Sequence, residues 1–184
     1  MKTKSTLEKA LKFVSDCKII FWKRKNIFQK NIFLLLCLLT TTFSFSQSEN
    51  VDLYLASLES SGQTAKLNEL KHLLYDLHSA VYSSASGEIN VYGEQPTALY
   101  TSIRSINSLN ATVSDKSDIE IATIKIQNSS ELNQSIDLTA FSGFEKLKYI
   151  FIISEAATSQ NVINNLIKND NSKYVLIYKI SIGG

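Results

Sequence analysis

The chain has 184 residues and a formal net charge of +2, but that charge is unevenly placed: residues 1–46 hold nine basic and two acidic residues, leaving ten basic and fifteen acidic in residues 47–184. An acidic segment whose only arginine is Arg104 offers no basic stripe to a phosphate backbone, so no nucleic-acid partner is expected. Both cysteines, Cys17 and Cys37, precede residue 47, which excludes a disulfide framework, a thiolate metal site and a cysteine nucleophile from everything after it.

From Lys30 to Gln47 the sequence has the layout of a cleavable secretory signal. A basic approach gives way to the apolar run Ile32–Leu39, and the small residues Ser44 and Ser46 stand three and one positions before Gln47. Cleavage between Ser46 and Gln47 is expected, dividing the chain into a basic leader with signal peptide (1–46) and a single mature α/β domain (47–184). Such a domain is large enough to bury roughly 70% of its unfolded surface. The apolar run is short for a membrane span, which needs roughly 20 residues. A retained anchor is the alternative, with Trp22-Lys23-Arg24-Lys25 as a cytoplasmic basic tail. A translation start nearer Lys30 is a further alternative for the upstream residues.

In the mature segment, Val51 to Leu58 is a short apolar stretch, either a helix turn or a strand, ending at Ser60-Ser61-Gly62. From Gln63 to Tyr82 the positions Leu67, Leu70, Leu74, Leu77 and Val81 recur at steps of three and four, which predicts an amphipathic helix. Leu70 and Leu74 are expected between that helix and the sheet. Ser83 to Gly87 reads as a loop and Glu88 to Tyr92 as a half-buried strand. Pro96 suits the first turn of a second helix, continued by Leu99, Ile103, Ile106 and Leu109 and closed by Asn110 and the polar run Ser114–Ser117.

The last third is rich in isoleucine. Ile121, Ile124 and Ile126 occupy positions one, four and six of a block; Leu147, Ile150 and Ile152 do so again, then Val175, Tyr178 and Ile180, with Phe141 and Phe144 upstream of the second. This spacing, over residues 118–182, resembles the leucine-rich repeat, although Ser129 and Glu155 stand where that family carries asparagine. The resemblance implies parallel strands on the concave side of a stacked solenoid, with the three blocks turned inward. An ordinary strand–helix–strand unit is the alternative, with Ser159–Asn169 as crossover helix. Both predict parallel strands at 148–154 and 174–181. The last is nearly all apolar, and if it lies at an edge it offers a template for a protein partner or a second copy.

Chemistry-bearing clusters are sparse. His72 and His78 are the only histidines; six apart on one helix, they point about 240° away from each other. Asp76 joins His72 as a solvated helix contact. Asp115, Asp118 and Glu120 lack the spacing of a calcium loop and read as a solvated turn. All eight tyrosines lie after residue 47, where they serve as half-buried packing or as ligand surface. The sequence therefore predicts an exported, non-catalytic binding or structural protein of a bacterial envelope, without cofactor, metal or assigned catalytic residue, and touching membrane only through its leader. The alternatives are a secreted hydrolase with a site assembled from scattered residues, and a membrane-tethered regulator.

Overall fold

The computed structural model describes residues 47–170 and 173–182; the signal pattern up to Ser46 lies outside them. In chain order the elements are β1 (Glu49–Asn50), α1 (Val51–Ser60), α2 (Thr64–Tyr75), β2 (Ala80–Ser83), β3 (Ile89–Tyr92), β4 (Ala98–Ser102), α3 (Leu109–Thr112), β5 (Ile121–Ile126), β6 (Ile136–Asp137), β7 (Tyr149–Ser154), α4 (Gln160–Leu166), β8 (Ile167–Lys168) and β9 (Val175–Ile180), with 3-10 helices at Ile103–Ser108, Ser129–Asn133 and Leu138–Phe141. Seven strands form one sheet in the order β1-β9-β7-β5-β4-β2-β3, and β6 and β8 form a separate parallel pair. Every pairing in the large sheet is parallel except β2 with β3. The protein is an α/β domain in which parallel pairing extends beyond the C-terminal half to β2 and β4. Among the described residues no helix is long and apolar enough to cross a membrane.

The sheet is covered on both faces, by different parts of the chain. On one face Val81, Leu99, Ala122, Ile124, Ile150, Ile152, Leu176 and Tyr178 join a core completed by the connections between strands: Ile103 and Ile106, Leu109, Phe141 and Phe144, Ile163 and Leu166. On the other, Ala80, Ala98, Ile121, Tyr149 and Ile177 meet Val51, Leu55 and Leu58 of α1 and Leu67, Leu70 and Leu73 of α2. Adjacent strand residues alternate between the faces, so β5 sends Ala122, Ile124 and Ile126 to the first core while Ile121 goes to the second.

Val51–Ser60 resolves as helix. Asn50 caps it, its Oδ1 accepting from the Asp52 amide at 3.0 Å and the Leu53 amide at 3.4 Å. The helix expected from Gln63 to Tyr82 stops at Tyr75. Asp76 turns extended, Leu77 is fully exposed, and Val81 belongs to a strand. Leu73 takes the buried place expected of Leu74, which is only half-buried. Residues 80–83 gain more as strand than as helix, because β2 is hydrogen-bonded on both edges and buries Ala80 and Val81 on opposite faces. β3 does form, but it is an exposed edge strand rather than a half-buried one.

The helix expected after Pro96 is instead β4, followed by a 3-10 helix and the single turn α3. Leu99, Ile103, Ile106 and Leu109 are all buried as their spacing predicted, but Leu99 reaches the core from a strand. Tyr100 and Thr101 favour extended backbone, and β2 and β5 pair with it on either side.

The strands expected at 148–154 and 174–181 form, parallel to each other. Of the three apolar blocks, only Leu147, Ile150 and Ile152 enter the larger core together. Ile121 pairs with Tyr149 rather than with Leu147, and Ile121 and Val175 face the helices. By strand register Ile150 and Ile152 pair with Ala122 and Ile124 on one side and with Leu176 and Tyr178 on the other, so the equivalent positions lie two residues earlier than expected in both outer blocks. The expected crossover helix is shorter, α4, and gives way to β8 at Ile167. Finally, the condition for β9 to serve as a docking edge is not met along its middle. β1 pairs with it at Ile177 and Tyr178, leaving only its ends open on that side.

Candidate functional site

The helices α1 and α2 cover one end of their face of the sheet and leave the other open. Strand register places the residues of this face in rows. Asn90, Tyr82, Tyr100, Thr123, Phe151 and Ile177 are successive partners across six strands, and Ser102, Lys125, Ile153 and Lys179 form the next row. Over β2, β4 and β5 this surface sinks into a cleft of about 570 Å³, floored by Tyr82, Tyr100, Thr123 and Ser102 and bounded by Lys125, Gln127, Ile153 and Glu155. Its size falls in the range of small-ligand sites.

Tyrosines dominate one wall. Tyr82 and Tyr100 stack with centroids 4.8 Å apart and planes 14° from parallel, and Tyr92 meets Tyr82 edge-on at 5.4 Å. The stack follows from backbone spacing, since in-register side chains on neighbouring strands stand about 4.8 Å apart. Tyr82 remains 44% exposed and Tyr92 61%, unusual for large aromatic side chains with a core to join. Burial, and after it the neighbouring Tyr82, holds the Tyr100 phenol above the usual tyrosine value, so at neutral pH it is a hydroxyl donor.

The β2–β3 turn, with Ser84 and Ala85, walls the cleft and is fixed by its own hydrogen bonds. The Ser84 amide donates to the Glu88 carbonyl at 2.9 Å, the Gly87 amide to the Ser84 carbonyl at 3.0 Å, and Ser105 Oγ to that same carbonyl at 2.7 Å. Gly87 sits at φ +83°, where a side chain is strained. Opposite, Lys125 Nζ lies 2.7 Å from Glu155 Oε1. With both side chains nearly half exposed, the pair is worth less than about 1 kcal/mol, yet it cancels the two charges that line the cleft. Ser83, buried behind Tyr82, keeps an Oγ with no hydrogen-bond partner among the described residues.

The residues singled out by sequence lie elsewhere. Because α2 ends at Tyr75, the chain folds back and brings the His72 and His78 rings to 4.7 Å, contrary to their expected divergence. His72 Nδ1 contacts Asp76 Oδ2 at 2.5 Å and His78 Nε2 lies 2.8 Å from the His72 carbonyl; among the described residues no cluster of three ligating side chains forms. The acidic cluster is met by lysines: Asp118 pairs with Lys146 at 2.5 Å and Glu120 with Lys148 at 2.8 Å, while Lys148 also reaches Glu69 of α2 at 2.6 Å. These contacts, first to Glu120 and then to Glu69, raise the Lys148 pKa. They tie α2 to the sheet.

Sequence reasoning named the tyrosines only as a group. A finer signal was present in Ala80-Val81-Tyr82-Ser83 and Ala98-Leu99-Tyr100-Thr101, one pattern repeated at an interval of 18 residues, which is also the register between β2 and β4. Comparison with protein-family models, with curated proteins and with solved structures finds no match to this chain.

Proposed function

We propose that this chain is an exported, non-catalytic binding protein of a bacterial envelope, and that its ligand seats on the tyrosine-lined open end of the sheet. The observation that carries this reading is the Tyr82–Tyr100 stack, which floors a cleft of about 570 Å³ and leaves Tyr82 44% exposed. Tyrosine supplies contact area and a polar tip at small entropic cost, and side chains mounted on central strands are held in place before a ligand arrives. The chemistry of the lining also favours binding over hydrolysis: its one carboxylate, Glu155, is engaged by Lys125, and His72 sits away from the cleft on α2. Export rests on the signal pattern of Lys30–Gln47 and is tested by intact mass, with Gln47 the expected first residue. A species in the membrane fraction that retains Phe33–Leu39 would replace export by anchoring.

The strand arrangement is compatible with a short solenoid of the leucine-rich-repeat kind. β2, β4, β5, β7 and β9 follow each other in space as in sequence, with register partners Ala80, Ala98, Ile121, Tyr149 and Val175. In that reading the tyrosine face is the concave one, the usual ligand side of such arrays.

Co-sedimentation with isolated envelope material tests the binding claim. The protein is expected in the pellet, and the Tyr82→Ala/Tyr100→Ala variant in the supernatant with its helical circular dichroism intact. Equal sedimentation of both, or of neither, would refute the cleft as the binding surface.

A further inference from the structure

The cleft also specifies a class of ligand, and this step rests on the binding reading above. Its charged lining residues, Lys125 and Glu155, neutralise each other at 2.7 Å. An anionic or a cationic ligand would meet one member of the pair with the opposite charge of the other beside it, so the lining favours neither sign of charge. What remains for recognition is neutral: the Thr123 hydroxyl and the amides of Asn90 and Gln127, each able both to donate and to accept, while the Ser84 hydroxyl is engaged by Ser86 and the Glu88 amide and that of Ser102 by Ser105.

The backbone offers little to a peptide. β2, β4 and β5, the floor of the cleft, are each hydrogen-bonded to a neighbour on both sides, so their amides and carbonyls are spent within the sheet. Extended peptides bind sheets chiefly by pairing with an open edge, which on this side of the sheet is β3 and not the strands of the cleft floor. The aromatic wall favours a different partner. Tyr82 braces one face of Tyr100, and Tyr100's other side is toward β5, where the in-register residue is the short Thr123. A ring with weakly positive C–H groups on one face and hydroxyls around its rim matches such a platform, because the aromatic face is electron-rich and its surroundings both donate and accept.

We propose that the cleft binds a neutral saccharide, with a sugar ring packed beside Tyr100 and its hydroxyls hydrogen-bonded to Asn90, Thr123 and Gln127. Tyr82 is a positioning residue that holds the Tyr100 ring upright.

Calorimetric titration of the purified protein with soluble neutral hexasaccharides (cellohexaose, maltohexaose and chitohexaose), with anionic hexagalacturonate and with a neutral glycine–serine hexapeptide tests the assignment. At least one neutral hexasaccharide is expected to bind, with an affinity that stays within twofold between 50 and 500 mM NaCl, as an interaction without net charge should. Tyr100→Ala is expected to weaken it at least tenfold, Tyr82→Ala by a smaller factor, and Tyr100→Phe by less than Tyr100→Ala because the ring remains. Leu53→Ser, on the exposed side of α1, is expected to leave affinity unchanged, and melting curves identify any variant that fails to fold. Preferential binding of hexagalacturonate or of the peptide overturns the proposal, as does an affinity that falls steeply with salt. Absence of neutral-saccharide binding alongside tyrosine-dependent co-sedimentation overturns the saccharide class alone. Absence of both overturns the binding reading itself.

Discussion

Beneath α1 and α2 the sheet carries Ala80 on β2, Ala98 on β4 and Ile121 on β5, all buried; two residues further along the same strands and the same face it carries Tyr82, Tyr100 and Thr123. Backbone, pairing partners and side-chain direction are shared between the two regions. What differs is the cover. Where a helix lies close, small side chains on the edgeward strands admit it, and Leu67, Leu70 and Leu73 supply the bulk. Where no helix lies, the strands supply bulk themselves, in a form with a polar tip. On β2 and β4 residue type on this face follows what lies above the strand, whereas β5 carries Ile121 beneath the helices and the smaller Thr123 in the cleft.

The most severe way to break that contrast is to weaken the cover. Leu70 is fully buried, and Leu70→Ala is expected to cost about 2–5 kcal/mol in denaturant unfolding, whereas Tyr82→Ala in the open region should cost about 1 kcal/mol or less. Equal losses would mean that the tyrosines are core. Next in size is an alkaline effect carried mainly by Tyr149 in the covered region. Burial, and after it the Glu69 carboxylate, pushes the Tyr149 phenol up from the usual 10.0 to about 12. A tyrosine whose folded pKa is raised stabilises fully below its unfolded value, and that contribution is lost as pH rises from about 10 to about 12. At about 1.4 kcal/mol per pH unit the loss amounts to a few kcal/mol. Titrating unfolding free energy over this window should show it, and Tyr149→Phe should remove most of it; an unchanged slope in that variant would place the titrating group elsewhere.

Smaller changes sharpen the boundary. Leu74, half-buried, is expected to cost about 1 kcal/mol as Leu74→Ala, well below Leu70→Ala; a larger loss would restore it to the helix–sheet core. Smallest and opposite in sign is Ser83→Ala, which removes a buried hydroxyl that has no partner among the described residues and should stabilise by about 1 kcal/mol or less. A drop in melting temperature would show that the hydroxyl is satisfied after all.

Much of the buried set was legible in the sequence, because apolar spacing reports burial whatever element delivers it. Leu67, Leu70, Leu99, Ile103, Ile106 and Leu109 are in the core as read, yet the single expected helix resolves into a strand carrying Leu99, a 3-10 helix carrying Ile103 and Ile106, and a helical turn beginning at Leu109. A spacing of three to four across Leu99, Ile103 and Ile106 fits a helix, and it fits equally a strand whose end turns into a 3-10 helix. The distinction lies in partners, β2 and β5, that are remote in sequence. The same non-locality extended the first helix past Tyr75, since nothing near Val81 announces that β3 and β4 will flank it. For the repeat-like blocks the error was one of phase: alternation makes every second residue a candidate, and a shift of two positions within an isoleucine-rich run leaves the pattern intact while moving Ile121 to the opposite core. The candidate site was the least legible. A binding tyrosine and a packing tyrosine differ by what covers them, and cover is a tertiary property.

The edge of the sheet is closed by β1 lying on β9, and Ser48, just before β1, is buried with its Oγ donating to Asn164 Oδ1 at 2.5 Å while Gln160 Nε2 donates to the Ser48 carbonyl at 2.8 Å. These contacts join positions more than a hundred residues apart in sequence, and the β1–β9 pairing joins Glu49 to Ile177, so the entropic cost of closing these long loops is met late in folding. On a ribosome the β5–β7 pairing can form as soon as Ser154 has emerged, but Glu49 and Asn50 must wait for Ile177 and Tyr178. The first strand of the sheet is thus the last to be laid, and refolding kinetics should carry a late step that disappears when residues 47–50 are removed.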